Sequence, residues 1–346
     1  MRLKRLSLLD FRNYPKAVFD LDPGLNLIVG PNAVGKSNIL EAVYLLATGQ
    51  SFRASRNEQI ISWGKPVADI KLELGDGSQL KLLLSREGNL SRKVFSIDGV
   101  KKTRKQFLEV FSAVIFRPEE IRIISGSPTR RREFIDKSLS PLSWQYQQSS
   151  RAYQRAQIRR NKILLAIKEG KSHKQELYFW DQTLVKNGQL IQEQRQVFFD
   201  FVNSFLTSFQ SGRFKHLQCR YQPSIVTKQK LENNLNRDLM MASTGIGPHR
   251  DDFAMLDDRF GSDRKDLSFW GSRGQQRLAI LALKLAQLEF VEKQTSQKPV
   301  LLLDDIFSEL DKEGEKLVLS VLDDYQTLLT STDEIEVANA KVLRIK

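Results

Sequence analysis

Gly30-Pro31-Asn32-Ala33-Val34-Gly35-Lys36-Ser37 is the stretch on which the reading of this chain turns. It satisfies G-x-x-x-x-G-K-[ST] at every fixed position. Its flanks agree with it. The apolar run Leu25–Val29 before it reads as a buried strand, and Ile39, Leu40, Val43, Leu46 and Ala47 after it recur at helical spacing. The glycines let the backbone curl so that the amides of Gly30 through Val34 face an anion. Lys36 brings a compact positive charge to terminal phosphates, the Ser37 hydroxyl can ligate Mg2+, and Asn38 follows on the first helical turn. The pattern therefore predicts a phosphate-binding loop, with ATP and Mg2+ as the cofactors.

Leu301-Leu302-Leu303-Asp304-Asp305, far downstream, reads as the second half of the same site. Asp304 at the carboxyl end of a buried strand would hold Mg2+ directly or through water. Asp305 is the candidate general base for an attacking water. One helix earlier stands Ser272-Arg273-Gly274-Gln275. Taken alone it is a helix cap; beside the acidic strand it is also an anion site built from free amides and the helix dipole. A phosphate loop early, with a serine-bearing loop and acidic strand late, is the order used by ABC-type ATPases. There the serine loop of one subunit closes on the ATP held by another. Ser308-Glu309-Leu310-Asp311 fits the loop that crosses the same seam, and Thr330 and Thr332 fall where a γ-phosphate sensor is placed.

The totals narrow the class. The chain has 346 residues and a formal charge of +13, an excess that attracts polyanions and says nothing of fold. Cys219 is the only cysteine, so no internal disulfide and no cysteine-based zinc site can form. His173, His216 and His249 lack metal-ligand spacing. No stretch approaches a membrane span and the first residues lack a signal peptide's apolar run, so a soluble cytoplasmic protein is expected.

Periodicity divides the chain. Leu3–Leu9, Ala17–Leu21, Ala68–Leu74, Gln79–Leu84 and Val94–Ile97 read as strands, with Gly75-Asp76-Gly77 as a hairpin turn. From Ser140 to Phe209 apolar residues fall at helical intervals in two stripes. One comprises Tyr146, Tyr153, Ala156, Ile163 and Ile167; the other runs from Leu177 through Ile191 to Phe205, with Gly170-Lys171-Ser172 as the turn between them. Arg151, Arg155, Arg159, Arg160, Lys162 and Lys168 on the first helix make either a solvated face or a DNA-contacting arm. Met240-Met241 reads as core. Strand character returns at Leu217–Tyr221, and Gly271–Glu292 is helical. The expected fold is α/β: an ABC-type P-loop ATPase head with an N-terminal β-rich lobe and an inserted all-helical arm. The boundaries drawn are 1–135, 136–238 and 239–346.

Several further blocks resemble the RecF family of recombination-repair ATPases. They are Leu9-Asp10-Phe11-Arg12-Asn13-Tyr14, Leu40-Glu41-Ala42 with Ser51-Phe52-Arg53, Phe116-Arg117-Pro118-Glu119-Glu120, and Pro128-Thr129-Arg130-Arg131-Arg132 continuing to Asp136. Gly245-Ile246-Gly247-Pro248-His249-Arg250-Asp251-Asp252 is the most diagnostic, since general ABC ATPases lack it. The blocks stand in family order across nearly the whole chain. Departures are small: Ala33-Val34 replaces a small or polar pair, Ser37 stands for threonine, and Trp270-Gly271 precedes the signature serine.

The resemblance implies an SMC-like head with a short helical arm and an ATP-dependent homodimer on duplex DNA at single-strand gaps. It also implies slow, DNA-stimulated hydrolysis that resets the dimer, and cooperation with RecR and RecO to direct RecA loading. Arg12 either caps a strand turn or reaches the nucleotide. Arg130, Arg131 and Arg132, like Arg151, Arg155 and Arg159, either face solvent or contact DNA. His249 reads as a hydrogen-bonded structural histidine. The rival functions are an SMC-like repair ATPase with a nuclease role, for which the sequence offers no spare acidic or histidine cluster, and a transporter subunit, for which the arm is too basic.

Overall fold

The computed structural model describes residues 2–87, 90–209, 212–259, 264–310, 312–333 and 340–345. Its contacts divide the chain into two units, residues 1–120 with 287–346, and residues 121–286.

The first unit contains two sheets. In the five-stranded sheet the order is Lys341–Arg344, Leu25–Val29, Thr327–Ser331, Val300–Asp304, Ala113–Phe116, and every pairing is parallel. Leu25–Val29 is buried at all its positions, as a strand covered on both faces must be. The six-stranded sheet is antiparallel, in the order Tyr14–Asp20, Leu3–Phe11, Val67–Leu74, Gln79–Glu87, Leu90–Ile97, Val100–Lys102. Helix Lys36–Thr48 is apolar on nearly every side: Ile39, Leu40, Val43, Leu45 and Leu46 are all fully buried. A helix hydrophobic all round must be covered all round. Its core cluster accordingly draws Ile70 and Leu82 from the antiparallel sheet and Leu302 and Leu328 from the parallel one.

The first hairpin is tighter than its spacing predicts. The strands run to Phe11 and resume at Tyr14, because Arg12 adopts a left-handed backbone with φ 53° and completes the reversal within two residues. Strands Ala113–Phe116 and Lys341–Arg344 were not distinguishable from short apolar runs, since neither shows alternation long enough to read.

The second unit carries the helical arm, Trp144–Lys168 and Tyr178–Ser208, together with Pro128–Leu139, Lys228–Met241 and a three-stranded antiparallel sheet. That sheet pairs Leu217–Gln222 with Asp252–Asp257, which brings residues beyond 239 into the same unit as the helices. Boundaries at 135/136 and 238/239 follow composition; the contact units part at 120/121 and 286/287.

Two readings of the arm need correction. Arg160 is not on a solvated face: it is 0% exposed, donating to Asp181 Oδ1 (2.5 Å), Asp238 Oδ2 (2.6 Å) and Thr244 Oγ1 (3.1 Å). It takes the stripe position between Ala156 and Leu164, the latter buried where Ile163 was expected. Met240 and Met241 are not core. They are 67% and 70% exposed, at the end of a polar helix that buries little besides Leu231 and Asp238.

Candidate nucleotide site

Three neighbouring parallel strands end together in the first unit, and their carboxyl ends carry the chemistry. Leu25–Val29 leads into the glycine loop, Val300–Asp304 ends in the acids, and Thr327–Ser331 between them supplies Thr330. Crevices at such strand ends are where open α/β sheets bind ligands. Here the cavity measures about 750 Å3, well within the range of small-molecule sites of roughly 300–1,000 Å3.

The loop is shaped by Gly35. Its φ is 113°, and a Cβ there would lie 2.6 Å from Asn13 Nδ2 and 2.9 Å from Tyr14 Oη, so only glycine fits. Ala33 also has a left-handed backbone, φ 65°. Lys36 is buried and folds over the loop, donating to Gly30 O (2.5 Å) and Pro31 O (2.9 Å). Asn13 Nδ2 donates to Val34 O (2.7 Å), and Asn38 Nδ2 to Asn13 Oδ1 (2.8 Å), tying the first hairpin to the loop. Asn32, Ala33, Gly35, Lys36, Ser37 and Asn38 all line the cavity.

The metal-binding candidates meet across the chain. Ser37 Oγ donates to Asp304 Oδ1 at 2.7 Å, and Thr330 Oγ1 lies 3.0 Å from the same oxygen. Asp305 N–H donates to Thr330 Oγ1 (3.0 Å), and Asp305 itself has φ 49° and lines the cavity. One hydroxyl and one carboxylate suit Mg2+, which keeps several waters and takes phosphate oxygens as further ligands. Among the described residues no group of three or more His, Cys, Asp or Glu could hold a metal on its own. Non-glycine residues with left-handed backbone cost about 1 kcal/mol or more each; Arg12, Ala33 and Asp305 all spend that strain on this cavity wall.

Sequence reasoning missed some of the wall. Asn13, Arg53, Ala54 and Gln59 line the cavity, none of them proposed from the motifs. Arg53, in a family block with no role attached, donates to Asn38 Oδ1 (3.0 Å). Thr332, the alternative to Thr330, instead bonds its neighbour Asp333.

Ser272 to Gln275 belong to the second unit. Ser272 N–H donates to Gln275 Oε1 (2.8 Å) and Gln275 N–H to Ser272 Oγ (3.3 Å), a reciprocal cap on helix Arg273–Thr295. Ser272, Arg273 and Gly274 are exposed, and Phe269 and Trp270 just before them are 83% and 64% exposed. Asp311 lies outside the described residues, as do the side chains of Ser308 and Glu309.

The arginine run Arg130–Arg132 divides. Arg131 forms a bidentate pair with Asp252 (Nε–Oδ1 2.5 Å, Nη2–Oδ2 2.8 Å), and Arg132 donates to Asp251 O (3.1 Å) and Thr129 Oγ1 (3.1 Å). Arg130 is exposed. Asp136 closes the same circuit by accepting from Arg195 (2.8 Å), whose other terminal nitrogen donates to Asp251 Oδ2 (2.8 Å) and Pro248 O (2.8 Å). The blocks at 128–136 and 245–252 are thus partners of each other. His249 sits in this fabric, Nδ1 2.7 Å from Tyr153 Oη and Nε2 3.0 Å from Thr244 O, and burial holds its pKa below the ordinary value. Arg151, Arg155 and Arg159 are exposed at i, i+4 and i+8 of one helix.

Residues 2–344 match the family model of the RecF/RecN/SMC N-terminal domain. The head of an SMC protein bound to the C-winged helix domain of ScpA shares the fold at 18% identity and TM-score 0.55, over 99% of this chain and 94% of that one. The chain is therefore an ABC-type ATPase of the SMC class. The RecF protein of Lachnoclostridium phytofermentans is 35% identical over 99% of this chain and 96% of its own, and that of Clostridium novyi 34% over 97% and 94%. The recombination mediator protein RecF-ATPrS in the RecFOR pathway superimposes with TM-score 0.89 at 32% identity, covering 99% of this chain and 96% of that one. This chain belongs to the RecF family of DNA replication and repair proteins. Among the described residues no helix is long and apolar enough to cross a membrane.

Proposed function

We propose that this chain is an ATP-dependent DNA-binding protein that works as a switch, forming a dimer around nucleotide and releasing it on hydrolysis. The observation that carries the reading is the convergence of the Ser37 and Thr330 hydroxyls on Asp304 Oδ1 beside a glycine loop with Lys36 folded over it. In this reading Lys36 leaves the carbonyls of Gly30 and Pro31 for the β- and γ-phosphates of ATP. Ser37 and Asp304 hold Mg2+, which when bound neutralises charge on those phosphates. Asp305 orients and deprotonates the attacking water, and Thr330 fixes the turn that presents it. RecF solved as RecF-ATP, at 32% identity and TM-score 0.86 over 97% of this chain and 93% of that one, supports ATP as the ligand.

The second copy supplies what one chain lacks. Ser272, Arg273, Gly274 and Gln275 close on the partner's ATP, with Asp311 along the same seam. Gly274 supports this: beyond its own helical turn a Cβ there would meet no atom of the described residues within 4 Å, so none of them requires the glycine. A glycine lowers helix stability relative to alanine, by up to about 1 kcal/mol in an interior and less in a first turn, and close approach of another molecule would account for it.

The net charge of +13 favours a polyanion, and duplex DNA at single-strand gaps is the one that the family implies. Arg130, Arg151, Arg155 and Arg159 are the contact residues offered; Arg131 and Arg132 are spent on Asp252 and Asp251, and their place in the DNA set is weaker for it. RecR and RecO as partners, RecA loading as the outcome and the cytoplasm as the setting rest on the family and on the RecFOR pathway named for the solved relatives. The test is direct. Lys36→Ala should abolish ATP binding in equilibrium titration while the melting temperature holds; retained ATP affinity would refute the nucleotide reading.

A further inference from the structure

We propose that Glu41 is the positioning residue of this cavity, holding Arg12 on its wall and, through Ser51, the backbone that carries Arg53. The proposal rests on the nucleotide reading above and adds to it a residue without a motif role.

Glu41 is anomalous where it stands. It lies one helical turn beyond Ser37, is 0% exposed, and is flanked by the fully buried Leu40, Ala42 and Val43. A buried carboxylate persists only when paired, and a buried pair is often no more stabilising than an apolar filling of the same volume. Stability alone gives no reason to keep it there.

Its contacts give one. Arg12 Nε donates to Oε2 (2.8 Å) and Arg12 Nη2 to Oε1 (2.5 Å), a bidentate pair, and the Ser51 hydroxyl donates to Oε1 as well. Ser51 Oγ in turn accepts the N–H groups of Arg53 (2.9 Å) and Ala54 (2.6 Å), both on the cavity wall. One carboxylate thus fixes two separate segments that border the phosphate loop.

Arg12 is left with a usable edge. Of its five N–H groups two go to Glu41 and one, from Nη1, to Gln59 O (2.6 Å). Among the described residues one N–H then remains on each terminal nitrogen, the number needed to meet two oxygens of a single phosphate. Its main chain is fixed too: N–H donates to Ile60 O (2.8 Å), and the carbonyl accepts from Ser62 Oγ (2.7 Å). These bonds hold the left-handed φ of 53° against its cost. Losing Glu41 would free the guanidinium to swing while its backbone stays put.

The experiment is a double-mutant cycle read by equilibrium binding of a fluorescent ATP analogue, with melting as the fold control. Glu41→Gln keeps the size and one acceptor but removes the charge; it and Arg12→Ala should each weaken binding about tenfold. Because Arg12 carries one of the two routes by which Glu41 acts, the double variant should bind worse than Arg12→Ala alone by no more than the roughly threefold share carried through Ser51, well short of the two single losses combined. Additive losses, or unchanged affinity in a folded Glu41→Gln, would overturn the proposal. If Glu41→Gln does not fold, Ser51→Ala tests the same chain of contacts. Binding weakened about threefold supports the proposal, and wild-type affinity overturns it. Lys36→Ala run alongside separates the two readings: if it still binds the analogue, the cavity assignment fails whatever Glu41 does.

Discussion

Asp304 and Asp305 are adjacent carboxylates in different situations. Asp304 is engaged by Ser37 and Thr330, whereas Asp305 stands past the strand end in a left-handed turn held by its N–H bond to Thr330. In the proposed mechanism the first serves as the Mg2+ ligand and the second as the base. Asp305→Asn should therefore leave ATP binding intact and lower single-turnover phosphate release by about a hundredfold or more; normal release would show that Asp305 is not the base. At this scale the glycine loop and the acids were legible because each is a contiguous motif whose chemistry is stated by residue type. Asn13, Arg53 and Gln59 were not. They reach the cavity only through the hairpin turn and the segment after the loop helix, and no spacing in the chain encodes that meeting. Glu41 sits inside a family block, yet its partner Arg12 lies two strands and the glycine loop away, so no spacing in the chain states their pairing.

Elements of the second unit were read correctly as helices and incompletely as surfaces. Arg160 shares its helix with Arg151, Arg155 and Arg159, and composition treats all four alike. Burial separates them, because the carboxylates that neutralise Arg160 come from Asp181 and Asp238 on other helices. The same holds for the Gly247–Asp252 block. Gly247 has φ 120°, and a Cβ there would lie 2.1 Å from Tyr153 Oη, so the turn fits around the tyrosine that binds His249. The bonds to Tyr153 and Thr244 suit a neutral imidazole, and burial, first among the causes, lowers its pKa. The unfolded chain takes up this proton near pH 6.5, and the folded chain only lower. Between those values the unfolded state holds more protons, so stability falls as pH drops below about 6.5 and stops falling once the folded value is passed. His216, also lowered by burial, adds to the same slope. His249→Gln should make urea-unfolding free energy depend less on pH between 7 and 5, at a cost of about 1–2 kcal/mol at pH 7; an unaltered slope would mean the imidazole is charged in the folded protein.

For the whole molecule, the decisive question is why the Ser272 loop looks as it does in one chain. Ser272 and Gln275 cap a helix, which any serine in that position can do. Capping accounts for the serine and leaves Gly274 unaccounted for. A glycine within the first helical turn, exposed and with open space around its missing Cβ, lowers the stability of its own chain. In the proposed dimer a second copy closing on bound ATP would fill that space and offset the cost. Two variants separate the contributions. Gly274→Ala should leave the nucleotide-free protein at least as stable, with a gain below the roughly 1 kcal/mol of a helix interior, and weaken the ATP-dependent dimer in sedimentation. Ser272→Arg, which places a bulky cation where the loop should meet phosphate, should still bind ATP and sediment as a monomer. If Gly274→Ala instead dimerises with ATP as the unaltered chain does, the open space is incidental, and a shared site would have to be held together by contacts other than this loop.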